Sequence, residues 1–119
     1  MKQTYEMSML FDFYGDLLTD RQKEFFDLYY NEDLSLSEIA ENAGISRQGV
    51  RDVIVRAEGI LNEMEEKTGS IARFQELRRE ADEIQAAAEQ ILVLNRRYQD
   101  RRLQQLAEQI RDAAQRIRE

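Results

Sequence analysis

The chain has 119 residues and a formal net charge of −7; 34% of its residues are charged, and it lacks proline, cysteine and histidine. Without cysteine and histidine there is no disulfide framework, no thiolate or imidazole metal site and no usual general base, and no Gly-x-x-x-x-Gly-Lys-Ser/Thr loop cradles a phosphate; a non-enzymatic protein with no cofactor and no metal is expected. No apolar run reaches the length of a membrane span and no signal-like segment opens the chain, so a cytoplasmic protein with no membrane partner is expected, and the proline-free composition rich in Leu, Ala, Glu, Gln and Arg is that of an all-α fold with coiled-coil character.

Thr4 to Leu18 mixes apolar and acidic residues. Met9/Leu10, Phe13/Tyr14 and Leu17 fall at helical spacing, a stripe suited to packing on the chain's own domain or on a partner subunit. Thr19-Asp-Arg-Gln22 then reads as a capping box that starts a second helix. Phe25, Phe26, Tyr29 and Tyr30 lie on one face of it, a spacing that favours core over a base-stacking platform. Asn31-Glu-Asp33 closes it with turn-forming residues.

Residues 36–55 carry the most information. Ser35-Leu-Ser-Glu38 is a second capping box. Ala40 is the small residue that two steeply crossing helices need where their backbones meet, and Gly44 supplies the left-handed reversal between them. Ile39, Ala43, Ile45, Val50 and Val53 sit where the inner faces would meet. Ser46 caps the second helix, which runs from Arg47 until Thr68-Gly69 stops it. This is a helix-turn-helix pattern; the alternative is a tri-helical scaffold with no nucleic-acid role.

From Ser70 to Glu119 there is no glycine or proline. Ile71, Phe74, Leu77, Ala81, Ile84, Ala88 and Ile91 recur at spacings of three and four, as do Leu103, Leu106, Ile110, Ala113 and Ile117. The second set is displaced by one residue from the first. Either one long coiled coil carries a local distortion, or the chain breaks into two helices near Leu94–Arg102, continuing or turned back. Such narrow stripes need cover, from a second copy in a homodimer or from an intramolecular hairpin. The organisation expected is therefore a helix-turn-helix domain over residues 1–68 and a helical dimerisation element over residues 70–119.

The outward face of the second motif helix offers Arg47, Gln48, Arg51, Asp52 and Val55, with Arg56 and Glu58 a turn later. Arg47 and Gln48 lie at the end that enters a major groove, where arginine pairs with guanine and glutamine with adenine. Ser46 and Gln48 are placed to hold a phosphate beside the helix N-terminus. Ser46, Arg47, Gln48, Arg51 and Arg56 are thus the candidate contacts to double-stranded DNA; the competing reading pairs the arginines with Asp52 and Glu58 on a solvated face. Residues 1–70 hold 15 acids and 7 bases, whereas residues 71–119 hold 9 acids and 10 bases. Any DNA contact is therefore a local basic spot in an acidic domain. Arg96, Arg97, Arg101 and Arg102 form a second basic patch, suited to RNA or to an acidic protein surface, or to a plain solvated turn.

Leu10-Phe-Asp-Phe-Tyr14, Leu17-Leu-Thr19, Leu28-Tyr-Tyr30, Asp33-Leu-Ser-Leu-Ser-Glu-Ile-Ala-Glu41, Ser46-Arg-Gln48 and Arg56-Ala-Glu58 together resemble the YlxM family of small bacterial helix-turn-helix proteins. The resemblance covers about the first 68 residues. Family members look like the promoter-contacting C-terminal region of sigma factors and are typically encoded beside the GTPase genes of the signal recognition particle. The resemblance implies a DNA-binding regulator of that pathway, or an accessory that binds the particle's protein or RNA with the motif as scaffold. Where members commonly carry an aromatic residue, asparagine and lysine, this chain has Arg51, Val53 and Val55.

Overall fold

The computed structural model describes residues 1 and 3–119, and every regular element among them is helical. Helix α1 spans Thr4–Tyr14 and runs into a 3-10 turn at Gly15–Leu17. Helix α2 spans Asp20–Tyr30, α3 Leu36–Ala43, α4 Arg47–Thr68, α5 Ser70–Tyr98 and α6 Arg101–Arg118. Contacts divide the chain into two compact units, residues 1–71 and 72–119.

In the first unit, side chains written next to each helix start set its boundary. Thr19 Oγ1 accepts the Gln22 amide at 3.2 Å, and Gln22 Oε1 accepts the Thr19 amide at 2.9 Å. Ser35 and Glu38 repeat the exchange at 3.0 Å in both directions. Each box satisfies donors that a helix start leaves without a partner. Gly44 ends α3 at φ 72°, and its amide and that of Ile45 both donate to the Ala40 carbonyl. Ser46 Oγ then accepts the Gly49 amide at 3.0 Å and opens α4, which Gly69 ends at φ 61°. The chain thus reverses between α3 and α4 over three residues.

Helices α1, α2 and α3 all pack on α4. Phe25, Phe26, Ile39, Val50, Ile54, Ala57 and Leu61 form the dry centre. Phe11 stacks on Phe26 at 5.0 Å between ring centroids, and Tyr30 lies 4.5 Å from Phe26, so the aromatic pairs of α2 are core. Helix α1 packs on its own domain through Leu10 and Tyr14 of the expected stripe, with Met9 beside them, but not through Phe13 or Leu17. Met7, Leu10, Tyr14 and Leu18 are buried, whereas Phe13 and Leu17 are exposed. The chain leaves the 3-10 turn at Leu18 in an extended conformation (φ −82°, ψ 153°), and it is Leu18, just beyond the turn, that is buried, while Leu17 within it stays exposed. Val53, expected inside, is only partly buried; Ala57 and Leu61 continue the inner face of α4.

Two buried tyrosines tie this unit together. Tyr14 Oη donates to Glu65 Oε1 at 2.6 Å and lies 2.7 Å from Thr68 Oγ1; the same Glu65 oxygen accepts the Ile71 amide at 3.0 Å. Tyr30 Oη donates to Glu58 Oε1 at 2.8 Å. Burial, reinforced by the Glu58 carboxylate, pushes the Tyr30 phenol well above its ordinary range.

In the second unit the chain breaks where its most polar stretch lies, and it turns back. Gln99 takes φ 51°, and Asp100 Oδ1 caps α6 by accepting the Leu103 amide at 2.8 Å. Asn95, 3% exposed, holds the turn from inside: its Nδ2 donates to the Asp100 carbonyl at 2.8 Å and its Oδ1 accepts the Asp100 amide at 3.0 Å. Near the other end Arg118 pairs with Asp82 and donates to Gln85, so α6 runs antiparallel to residues 72–98 of α5.

The buried seam of this hairpin keeps only Ala81 and Ala88 of the expected stripes. Ala81 and Ala88 on α5 and Ala107 and Ala114 on α6 are at most 2% exposed. Leu77, Ile84, Leu103, Leu106, Ile110 and Ile117 are 37–52% exposed, and Ala113 lies outside while Ala107 and Ala114 take the inner positions. Small side chains at heptad spacing let the two backbones close in, which leaves the larger apolar residues beside the seam rather than in it.

Candidate nucleic-acid interface

The first turns of α4 are built outward from the Val50–Ile54–Ala57–Leu61 face that anchors them. At 3.6 residues per turn, residues 48, 52 and 55 point away from that face, with 47 and 51 on one flank and 56 on the other. Ser46, Arg47, Gln48, Arg51, Asp52, Val55 and Arg56 are all exposed.

Two of the five expected contacts are already engaged. Ser46 Oγ caps the helix, and Gln48 Nε2 donates to Asp52 Oδ1 at 2.9 Å. The arginines are not engaged. Among the described residues Arg47, Arg51 and Arg56 form no ion pair with any carboxylate. Asp52 instead accepts from Gln48 and Glu58 from Tyr30, and the arginine pairing expected as the alternative is not formed.

The three guanidinium groups have different neighbours. Arg47 borders a shallow recess of about 370 Å³ that it shares with Asp33, Ser35 and Glu38. The Ser35 backbone amide, and then its hydroxyl, hold the Glu38 carboxyl below the usual carboxylate range, so negative charge stays beside Arg47 at neutral pH. Arg56 borders a second recess of about 230 Å³ with Thr19, Arg21, Gln22, Asp52 and Val53.

Arg21 is the residue that sequence reading missed. Its guanidinium lies 5.2 Å from the Phe25 ring centroid, and it brings a second cation to the Arg56 flank. The signal was available: position 21 is in the first turn of α2, directly behind the Thr19 cap. Only the packing of α2 on α4 turns that proximity to a cap into proximity to Arg56.

The second basic patch sits at the turn of the hairpin. Arg96 and Arg97 end α5, Arg101 and Arg102 start α6, and all four are exposed without an ion pair among the described residues. Arg96 and Arg101 border a recess of about 410 Å³ with Asn95, Gln99, Asp100, Gln104 and Gln105. Asp100 is the one carboxylate there, and its Oδ1 is engaged in capping α6. Tyr98 beside it is 72% exposed.

Among the described residues no group of acidic side chains is arranged to hold a metal ion, and no helix is long and apolar enough to cross a membrane.

A family model, UPF0122, described as "Putative helix-turn-helix protein, YlxM / p13 like", matches residues 1–101. Over 104 residues the chain is 44% identical to a UPF0122 protein of Thermoanaerobacter sp. (strain X514), spanning 87% of this chain and 86% of that one. It is 52% identical over 84 residues to a UPF0122 protein of Acetivibrio thermocellus, spanning 71% and 72% of the two chains. A UPF0122 protein of Halalkalibacterium halodurans is 42% identical over 100 residues, spanning 79% and 92%.

Proposed function

Because the chain belongs to the UPF0122 family of helix-turn-helix proteins, we propose that it is a non-enzymatic DNA-binding regulator of signal recognition particle components, working as a homodimer. The observation that carries this reading is the set of uncommitted cations on the exposed side of α4. Arg47, Arg51 and Arg56 stand free of the neighbouring carboxylates, on a helix whose inner face is fixed by the α3–α4 reversal. Arg47 and Arg51 share one flank and serve as the base- or phosphate-contacting pair; Arg56 and Arg21 serve as backbone contacts on the other. Ser46 acts by capping rather than by touching DNA, and Gln48 reaches a base only after leaving Asp52. A pair of such units would address successive major grooves. The acidic surroundings, 15 acids to 7 bases over residues 1–70, make each unit's affinity modest.

The test is duplex binding by the full chain across a salt series, beside the Arg47→Ala/Arg51→Ala variant. The expected result is weaker binding for the variant and a log–log salt slope lower by about one unit for each phosphate contact removed. Unchanged duplex binding would overturn the assignment.

A specific observation favours a second reading, in which the protein is an accessory of the particle and binds its RNA or protein. The four unpaired arginines of the hairpin turn lie outside the acidic unit, in the region of the chain where bases slightly outnumber acids. Replacing Arg96, Arg97, Arg101 and Arg102 by serine abolishes association with the particle under this reading and leaves duplex binding intact.

A further inference from the structure

The hairpin of residues 72–119 has two unlike sides, and the heptad spacing of its seam defines them. On α5 the seam positions are Ala81, Ala88 and Asn95; on α6 they are Ala107 and Ala114. Leu77 and Ile84 precede a seam residue by four places, and so do Leu103 and Ile110. Ile117 follows one by three. In a pair of antiparallel helices, residues with these offsets all fall on the same side of the seam. The reverse offsets, three before or four after, bring Gln85, Arg111 and Arg118 to the other side. The contact between Arg118 and Gln85 confirms that side as the polar one.

The apolar side is continuous and uncovered. Leu77, Ile84, Leu103, Leu106, Ile110 and Ile117 are each between a third and just over half exposed. Single exposed apolar residues are ordinary; an unbroken row along two helices is an interaction surface. Leu106 apart, its positions repeat every seven residues on both helices, the period that lets further helices continue the same packing.

We infer that this face is covered by the same face of a second copy of the chain, giving an antiparallel four-helix bundle. Three features select a second copy over an unrelated partner. A two-fold pairing of the face would take on the order of 1,000 Å² of surface from water, the size that a specific interface requires. A two-fold operation needs only one self-complementary patch, and this hairpin presents one. The outer edges also differ in net sign: beyond the apolar row α5 carries Glu76, Glu80 and Glu83 against Arg73, and α6 carries Arg102 and Arg116. Laying α5 of one copy on α6 of the other therefore sets acids opposite bases. The inference rests on the homodimer of the preceding section and supplies its contact surface.

Light scattering of the full chain without nucleic acid tests it. The expected mass is twice the 14.1 kDa of one chain at micromolar concentration. The variant I84E/I110E should give the single-chain mass with its far-UV circular dichroism unchanged, because both residues are already about half exposed in one chain. Arg111→Ser, on the polar side, should leave the dimer intact. If I84E/I110E loses helicity, the milder Leu106→Ser replaces it, with an expected rise of at least tenfold in the dissociation constant. A single-chain mass for the unaltered protein up to about 100 µM, a dimer that survives the apolar-side variants, or one lost in Arg111→Ser would overturn the inference. With no DNA present, the result is independent of whether α4 binds a duplex.

Discussion

Residues 1–71 close around Phe25, Phe26, Ile39, Ile54 and Leu61, whereas residues 72–119 close around four alanines and leave their leucines and isoleucines outside. The two solutions have different consequences. A core of large side chains is filled by four helices meeting from different directions, so the first unit buries most of its large apolar side chains, with Phe13 and Leu17 among those left outside. Two helices alone enclose almost nothing; they reach close contact only by placing small residues between them, which pushes the larger apolar ones to the side. The first unit has a core of its own, and the second is built with a face to spare.

Four substitutions break or sharpen this contrast. The largest effect is expected for Phe26→Ala, which empties the centre of the first unit where Phe11 and Tyr30 also pack. It should cost about 3–5 kcal/mol in urea unfolding followed by circular dichroism. Ala88→Leu tests the opposite constraint. The seam has no room for a larger side chain, so adding one should destabilise the hairpin by about 1–3 kcal/mol, although leucine favours helix as alanine does. A stability gain would show that the seam is loose.

Asn95→Ala removes the clamp on the turn, leaving the Asp100 amide without its acceptor. The expected cost is about 1–2 kcal/mol, with faster amide exchange at residues 99–100 as the local readout. Ser35→Ala should cost about 1 kcal/mol, the ordinary worth of an N-cap. The same cap predicts a pH dependence. Glu38 titrates below its unfolded value because Ser35 donates to its carboxylate. Its contribution is therefore complete above about pH 4.3, the unfolded value, and disappears as pH falls through the lower folded value. Glu38→Gln keeps the acceptor without the titration, so its urea midpoint should fall less steeply than that of the unaltered chain on the acid side.

Caps and reversals were legible in the order of residues. Thr19 with Gln22, Ser35 with Glu38, Gly44 and Gly69 each act on a backbone group within a few positions, so local chemistry alone places them. The place of the interruption near Asp100 was readable too, where polar residues interrupt the apolar repeat, but not that the helix breaks there. The arginines at positions 47, 51 and 56 were likewise readable as an outward face, because one helical period relates them to Val50 and Ile54.

What had to await the packing lies at the contacts between elements. Neither the direction of the chain after Asp100 nor the choice of Ala107 and Ala114 over Ala113 follows from spacing, because both registers place apolar residues on one side of a helix. Leu18 rather than Leu17 is buried where the chain leaves the 3-10 turn in an extended conformation, and Arg21 came beside Arg56 because α2 lies on α4. Which partners Glu58 and Asp52 take was decided the same way, by Tyr30 reaching Glu58 and Gln48 reaching Asp52. Order along the chain determined the helices and the turns between them, since those depend on neighbours within a turn or two. Only the tertiary structure decided which faces meet and which charges remain unpaired, because those depend on residues brought together from distant parts of the sequence.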